Sequence, residues 1–128
     1  MKKERRINRT KKFIERYLTT DKLEKGMTFW GMRNECCGTC QWLVAELIRH
    51  MSYDVFMQTR YWKLVAWQVR YNYGWRCRYT GRKDSLEVHH TDYRIHGFEM
   101  FHLNKLECVS RSWHQKYHNS QRHPNNFA

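Results

Sequence analysis

Four histidines in the C-terminal third of the chain have the spacing of a metal-binding site. His89 and His90 are adjacent, and His114 and His118 follow about twenty-five residues later, four positions apart. Side chains four positions apart share one face of a helix. Three neutral imidazoles can bind a divalent cation and leave a position open for water or a phosphate oxygen. The spacing therefore indicates one metal site with a further histidine beside it.

Adjacent residues of a strand point to opposite faces, so His89 and His90 are expected to have different roles. We assign His89 to the metal together with His114 and His118, and His90 to proton transfer. A nearby cation disfavours the imidazolium form, so His90 is expected to stay neutral and able to take a proton from water. A base, a Lewis acid and a basic surface are the parts that phosphodiester hydrolysis requires.

The residues around these histidines change from helical to strand periodicity. A strand at about 75–79, a turn through 80–85 and a second strand at 86–90 are predicted to form a hairpin. The segment 91–105 is predicted to be a long irregular loop. Ser110 is a candidate N-cap for a helix that ends at about Asn119.

The N-terminal half is predicted to be helical. Apolar spacing predicts a basic amphipathic helix at about 6–18, a second helix capped by Thr39 that ends at about Met51, and a third at about 59–71 that is capped by Thr59. Trp62 of the third helix is expected in the core. The polar segment 21–38, punctuated by glycines, is predicted to be a connection.

Charge favours nucleic acid as the partner. The 128 residues carry 24 Lys and Arg against 12 Asp and Glu, a net charge of +12, and no segment approaches a membrane span. With no secretory signal at MKKERR, we expect a soluble cytoplasmic protein that binds DNA, with duplex DNA favoured. The candidate phosphate-binding residues are Arg5, Arg6, Arg9, Lys11, Lys12, Arg60, Lys63 and Arg70.

The segment from Tyr61 to Asn119 resembles the HNH endonucleases, particularly those of phages and mobile elements. The resemblance rests on a tryptophan helix (YWKLVAWQVRYNYG), WRCRYTG, LEVHHTDY, a Gly97 and Glu99 pair, Leu106 and HQKYH. It implies a ββα-metal fold in which a hairpin and a helix bind one divalent ion, with Mg²⁺, Mn²⁺, Zn²⁺ and Ni²⁺ as candidates. It also implies that His89, His114 and His118 are the ligands and His90 the base, with 5′-phosphate and 3′-hydroxyl products.

The cysteines depart from the family pattern. Two CxxC pairs often form a structural zinc knuckle in the family, but here Thr80, Ser110 and Trp113 occupy three of the four positions, and only Cys77 is kept. Either packing of Trp75, Trp113 and Leu86 replaces the knuckle, or zinc is bound elsewhere. The alternatives for the remaining cysteines are buried free thiols and a four-cysteine zinc site of Cys37, Cys40, Cys77 and Cys108.

The central residue of the HNH motif is also displaced. Counting back from His114, the Asn or Asp that orients the base should lie at position 105, which is a lysine. A lysine cannot accept a hydrogen bond from imidazole. Asn104, one position earlier, is the predicted orienting residue.

The expected fold is α+β, with a ββα-metal core and additional N-terminal helices. We predict a basic helical extension at 1–58, a nuclease core with its leading helix at 59–122, and a tail at 123–128. The favoured function is metal-dependent DNA cleavage or nicking. The alternatives are a nucleic-acid-binding module with a structural zinc, or a subunit of a larger phage nuclease or packaging complex with Phe29, Trp30 and Phe56 at its interface.

Overall fold

The computed structural model describes residues 2–36, 38 and 40–121. It contains both helices and an antiparallel two-stranded sheet, which confirms the α+β class. The helices are α1 (Lys2–Tyr17), α2 (Phe29–Glu35), α3 (Cys40–His50), α4 (Tyr53–Gln58), α5 (Arg60–Asn72) and α6 (Arg111–Gln121), and the strands are β1 (Leu86–His90) and β2 (Leu106–Ser110). Within these residues, no helix is long and apolar enough to cross a membrane.

All four predicted helices are present: α1 begins four residues earlier than predicted, and the ends of α3, α5 and α6 differ by one or two residues. Helix α5 begins where its cap was predicted. The Thr59 hydroxyl accepts a hydrogen bond from the Trp62 amide at 3.1 Å. The predicted cap Thr39 lies outside the described residues. Two short helices, α2 and α4, were not predicted. Their N-caps are Thr28 and Ser52, whose hydroxyls accept hydrogen bonds from the amides of Gly31 and Val55.

The predicted hairpin is wrong in its first strand. Residues 75–79 form no strand, and β1 pairs with β2 instead, with Leu86 opposite Ser110 and His90 opposite Leu106. Trp75 has a positive φ of 57°, and the Gly81 amide bonds back to the Cys77 carbonyl at 2.9 Å, so this stretch closes into a turn. Every residue of β2 is buried, and three of its five side chains, Leu106, Cys108 and Val109, are apolar.

The segment between the strands contains three short 3₁₀ helices, at Tyr93–Ile95, Glu99–Phe101 and Leu103–Lys105. Gly97 lies between the first two with a φ of +98°. A Cβ at this position would lie 2.9 Å from three atoms of Ala45 in α3. A glycine is therefore needed here for both conformation and space.

One hydrophobic core joins both halves of the chain. Phe13 and Tyr17 from α1, and Val44 and Ile48 from α3, belong to the same buried cluster as α5 and the two strands. The core is therefore continuous across the predicted boundary between residues 58 and 59. Phe29 and Phe56 belong to this core and Trp30 is exposed, so of these three aromatic residues only Trp30 is available for an interface.

Candidate metal centre

The structure brings together the three histidines for which the sequence predicts metal binding. His89 lies on β1, and His114 and His118 lie one turn apart on α6. His89 Nδ1 is 3.2 Å from His114 Nε2, which is 2.8 Å from His118 Nε2. One nitrogen from each ring lies within 4.8 Å of the other two, so a single ion could contact all three.

The protonation state of His89 and the hydrogen bond of His114 suit a divalent cation. Burial and the neighbouring His114 lower the pKa of His89 to about 4, so its ring is neutral near pH 7. His114 Nδ1 lies 3.0 Å from Glu87 Oε1. When Nδ1 carries the proton and donates a hydrogen bond to this carboxylate, the lone pair is on Nε2, which faces the other two histidines. The donor set therefore fits a metal ion.

Glu87 is a functional candidate that the sequence reasoning missed. It precedes His89 by two positions in β1, and the strand period of two predicts that both side chains lie on one face. That period was used to separate His89 from His90, and it would also have identified Glu87.

A second carboxylate, Glu107, lies close to the cluster on β2. It is paired in register with His89, and its charge acts to raise the pKa of that histidine, against the larger effect of burial. Arg78 donates to Oε1 at 2.9 Å. Among the described residues, Oε2 is the one fully buried side-chain N or O atom that has no hydrogen-bond partner. This negative charge favours a cation nearby.

The base candidate His90 belongs to a separate hydrogen-bond network. Its Nε2 lies 3.1 Å from Glu99 Oε2, and His96 Nδ1 lies 2.8 Å from the same oxygen. Glu99 Oε1 accepts from the Tyr61 hydroxyl at 3.1 Å and from the Gly97 amide at 2.8 Å. All four bonds reach a side chain with no exposed surface.

These bonds hold Glu99 in its ionised form. Burial alone would raise the pKa of Glu99, but hydrogen bonds from His90 and His96 lower it to about 2. An ionised carboxylate at Nε2 requires a proton on that nitrogen. The other nitrogen of His90, Nδ1, is then the one that can accept a proton.

Aromatic rings fix the plane of the His90 imidazole. Trp62 stacks on it at 5.3 Å with an angle of 10°, and Tyr93 stacks at 5.0 Å with an angle of 19°. The side chain is only 2% exposed. Within the described part of the chain, Nδ1 forms no hydrogen bond. The atom is not fully buried, so it keeps some contact with solvent.

His90, His96 and Glu99 form a second group whose ligand atoms are close enough for an ion. This group is a poorer metal site than the three histidines. Each Glu99 oxygen already accepts two hydrogen bonds inside the protein. The three-histidine cluster instead borders a groove of about 420 Å³ lined by His114, Gln115, His118 and Asn119, where a substrate can approach.

Glu99, rather than Asn104, is hydrogen-bonded to His90. Asn104 and Lys105 are exposed in the third 3₁₀ helix, and no described hydrogen bond joins either side chain to the imidazole. The Gly97 and Glu99 pair of the resemblance was the sequence signal for this carboxylate. The prediction for Asn104 therefore has no support in the described contacts.

Hydrogen bonds surround Cys77, and aromatic stacking involves Trp113, at positions where the resemblance predicted cysteines of a zinc knuckle. Burial acts to raise the pKa of the Cys77 thiol, but bonds from the Thr80 hydroxyl and from the backbone amides of Ser110, Thr80 and Tyr79 lower it to about 6. Trp113 stacks on Tyr79 at 4.1 Å with an angle of 8°. Trp75, which was predicted to take part, packs against Trp67 instead.

The structure gives no support for a four-cysteine zinc site. Of its members, Cys37 lies outside the described residues. Cys40, Cys77 and Cys108 do not form a metal-binding group among the residues described. Cys40 Sγ lies 3.0 Å from Cys36 Sγ.

The eight candidate phosphate-binding residues differ in burial and in their hydrogen-bond partners. Arg60 is 8% exposed, and it donates to the backbone carbonyls of Lys22 and Arg16 and pairs with Glu24, because a buried guanidinium needs internal partners. Arg9 and Arg70 also donate to backbone carbonyls, although neither is buried. Arg5, Arg6, Lys11 and Lys12 are exposed, and Lys63 is half-buried.

The chain was compared with models of protein families, with curated proteins and with solved structures, and none of them matches it.

Proposed function

We propose that this protein is a metal-dependent endonuclease of the HNH type that hydrolyses DNA phosphodiester bonds. The observation that carries the proposal is the placement of two histidine systems on adjacent residues of one strand. His89 joins His114 and His118 in a donor set of three imidazole nitrogens, while His90 is held by an ionised carboxylate. In this reading β1, β2 and α6 form the ββα-metal core.

In the proposed reaction, His90 Nδ1 accepts the proton of a water molecule as its oxygen attacks phosphorus. The bond to the 3′ oxygen breaks, and that oxygen takes a proton from solvent, which leaves 5′-phosphate and 3′-hydroxyl ends. Glu99 stabilises the imidazolium that forms, because its negative charge lies 3.1 Å from Nε2. A divalent cation bound to the three histidines would stabilise the charge that develops on the phosphate.

A structural zinc module is the competing function, and the donor count argues against it. Structural zinc sites are almost always closed by four protein ligands. Among the described residues, the cluster supplies three, and it borders an open groove. An open coordination position is what a catalytic site requires.

The test is nicking of supercoiled plasmid by purified protein with Mg²⁺, Mn²⁺, Zn²⁺ or Ni²⁺, with an EDTA control. We expect His90→Ala to lose at least about 100-fold in rate while it keeps metal binding, because general-base assistance is typically worth that much. His118→Ala is expected to lose both metal binding and nicking. The matched control is His50→Ala, an exposed histidine paired with Glu46 on α3, which should nick like the wild type.

Two results would overturn the proposal. Nicking by His90→Ala at the wild-type rate would remove the assigned base. Absence of cleavage with all four metals, together with retained DNA binding in a gel shift, would favour the binding module.

A further inference from the structure

An apolar groove lies between α1 and α3, away from the histidine clusters. It has a volume of about 530 Å³, and Ile7, Ile14 and Leu43 are the large apolar residues in its lining. Ile7 is 56% exposed and Leu43 is 49% exposed. Leu47, one turn beyond Leu43, is also exposed and continues the apolar stripe of α3. Ile7 on α1 and Leu43 and Leu47 on α3 therefore expose aliphatic side chains at or next to this groove, while Ile14 is partly buried.

The rim of this groove is basic. Lys3, Arg6 and Lys11 line it, and Glu15 is the one acidic residue in its lining among the residues that the structure describes. None of the three basic side chains has an acidic partner at ion-pairing distance in the part of the chain that the structure describes. The rim can therefore pair with negative charges on a ligand.

We propose that this groove binds one amphipathic helix of a partner protein, with apolar residues along one face and acidic residues on both flanks. Aliphatic residues recurring at i, i+3, i+4 and i+7 would fill the floor between Ile7 and Leu43, and flanking carboxylates would meet Lys3 and Lys11. The inference does not depend on the nuclease proposal.

Three other occupants fit less well. Nucleic acid would use the basic rim but leave the aliphatic floor exposed. A second copy of this chain would bring another basic α1 against the same rim, and like charges repel. A membrane surface is contacted by a protruding apolar face, whereas this one is concave.

The probe is a synthetic 18-residue helix with leucines at that spacing and glutamates on both flanks, labelled for fluorescence anisotropy. A scrambled peptide of the same composition has the same charge but no apolar face. We expect the helix to bind the wild-type protein at least about tenfold more tightly than the scrambled peptide. Leu43→Asp should remove most of that difference, whereas Val55→Asp, at an exposed residue of α4 outside the groove, should keep it.

A matched pair of charge reversals tests the rim. At about 100° per residue, Arg5 and Lys12 lie roughly 150° around α1 from Ile7, away from the groove. Lys3→Glu with Lys11→Glu should weaken helix binding about tenfold more than Arg5→Glu with Lys12→Glu, although the change in net charge is the same. Circular dichroism establishes that each variant is folded.

Several outcomes would overturn the inference. These are equal affinity for the two peptides, no binding of the helix at millimolar protein, or equal effects of the two charge reversals. Loss of duplex DNA binding in Leu43→Asp, or loss of its binding to anionic phosphatidylserine vesicles, with peptide binding unchanged, would assign the groove to those ligands instead.

Discussion

At the scale of single residues, the different surroundings of His89 and His90 follow from one property of a strand. Adjacent side chains leave opposite faces, so His89 meets α6 while His90 meets Glu99, Trp62 and Tyr93. The sequence was sufficient to predict this division. It was not sufficient to predict the partner of His90, because Glu99 reaches the ring through the turn at Gly97, a tertiary contact with no periodic signal.

The network around Glu99 predicts a specific loss of stability in acid. The folded pKa of about 2 lies below the ordinary value of 4.5, so the stabilisation is complete above about pH 4.5 and is lost as the pH falls towards 2. It amounts to roughly 3 kcal/mol for a shift of this size. Urea unfolding at pH 7, 4.5 and 3 should show a smaller decrease on acidification for Glu99→Gln than for the wild type.

The matched control is Glu46→Gln, an exposed carboxylate on α3. It should keep the acid dependence of the wild-type protein. An acid dependence of Glu99→Gln equal to that of the wild type would mean that Glu99 does not hold its charge in the folded state.

At the scale of elements, the site is built by β1, β2 and α6 and is aligned by the 3₁₀ segment between the strands. The pairing of β1 was mispredicted because residues 75–79 have strand-like composition, whereas β2 follows a long segment without regular pattern. Local propensity favoured pairing of β1 with residues 75–79, which are nearer in sequence. In the structure β1 pairs with β2, which is buried along its whole length. The helix α6 was easier to predict, since Ser110 accepts a bond from the Trp113 amide and marks its start.

Gly97 is the residue at which this segment is most sensitive to substitution. Gly97→Ala combines a positive φ with contacts of 2.9 Å to Ala45, so we expect it to cost at least about 2 kcal/mol of folding free energy. Gly81→Ala has a similar φ of +73° but nothing within 4 Å, and it should cost about 1 kcal/mol. Chemical denaturation measures both values, and equal costs would show that the approach of Gly97 to α3 is not tight.

At the scale of the whole molecule, net charge predicts the kind of partner, whereas burial decides which basic side chains are free to bind it. Composition alone predicts a polyanion as partner, with +12 in 128 residues. It cannot show which basic side chains are free, because that depends on burial. Arg60 illustrates this limit, since it lies on a helix with a basic outer face and yet joins α5 to the backbone of α1.

Exposed and buried basic residues predict opposite effects of substitution on DNA binding and on stability. Arg5→Ala with Lys12→Ala should weaken duplex DNA binding and reduce its salt dependence by about two counterions, with little change in thermal stability. Arg60→Met should leave DNA binding nearly unchanged and lower the free energy of unfolding by about 2 kcal/mol, because carbonyls and Glu24 lose a buried partner. Fluorescence anisotropy over a salt series and thermal denaturation measure both. A loss of DNA affinity confined to Arg60→Met would reverse this assignment.

The placement of the ion is the claim on which the functional account depends most directly. Crystals soaked separately in Zn²⁺ and Mn²⁺, measured at each absorption edge, locate a bound ion by anomalous scattering. We predict one peak at about 2.0–2.1 Å from the facing nitrogens of His89, His114 and His118 in the zinc crystal, with manganese at the same place. A peak between His90, His96 and Glu99 would contradict the account, because the same histidine cannot hold the ion and act as the base.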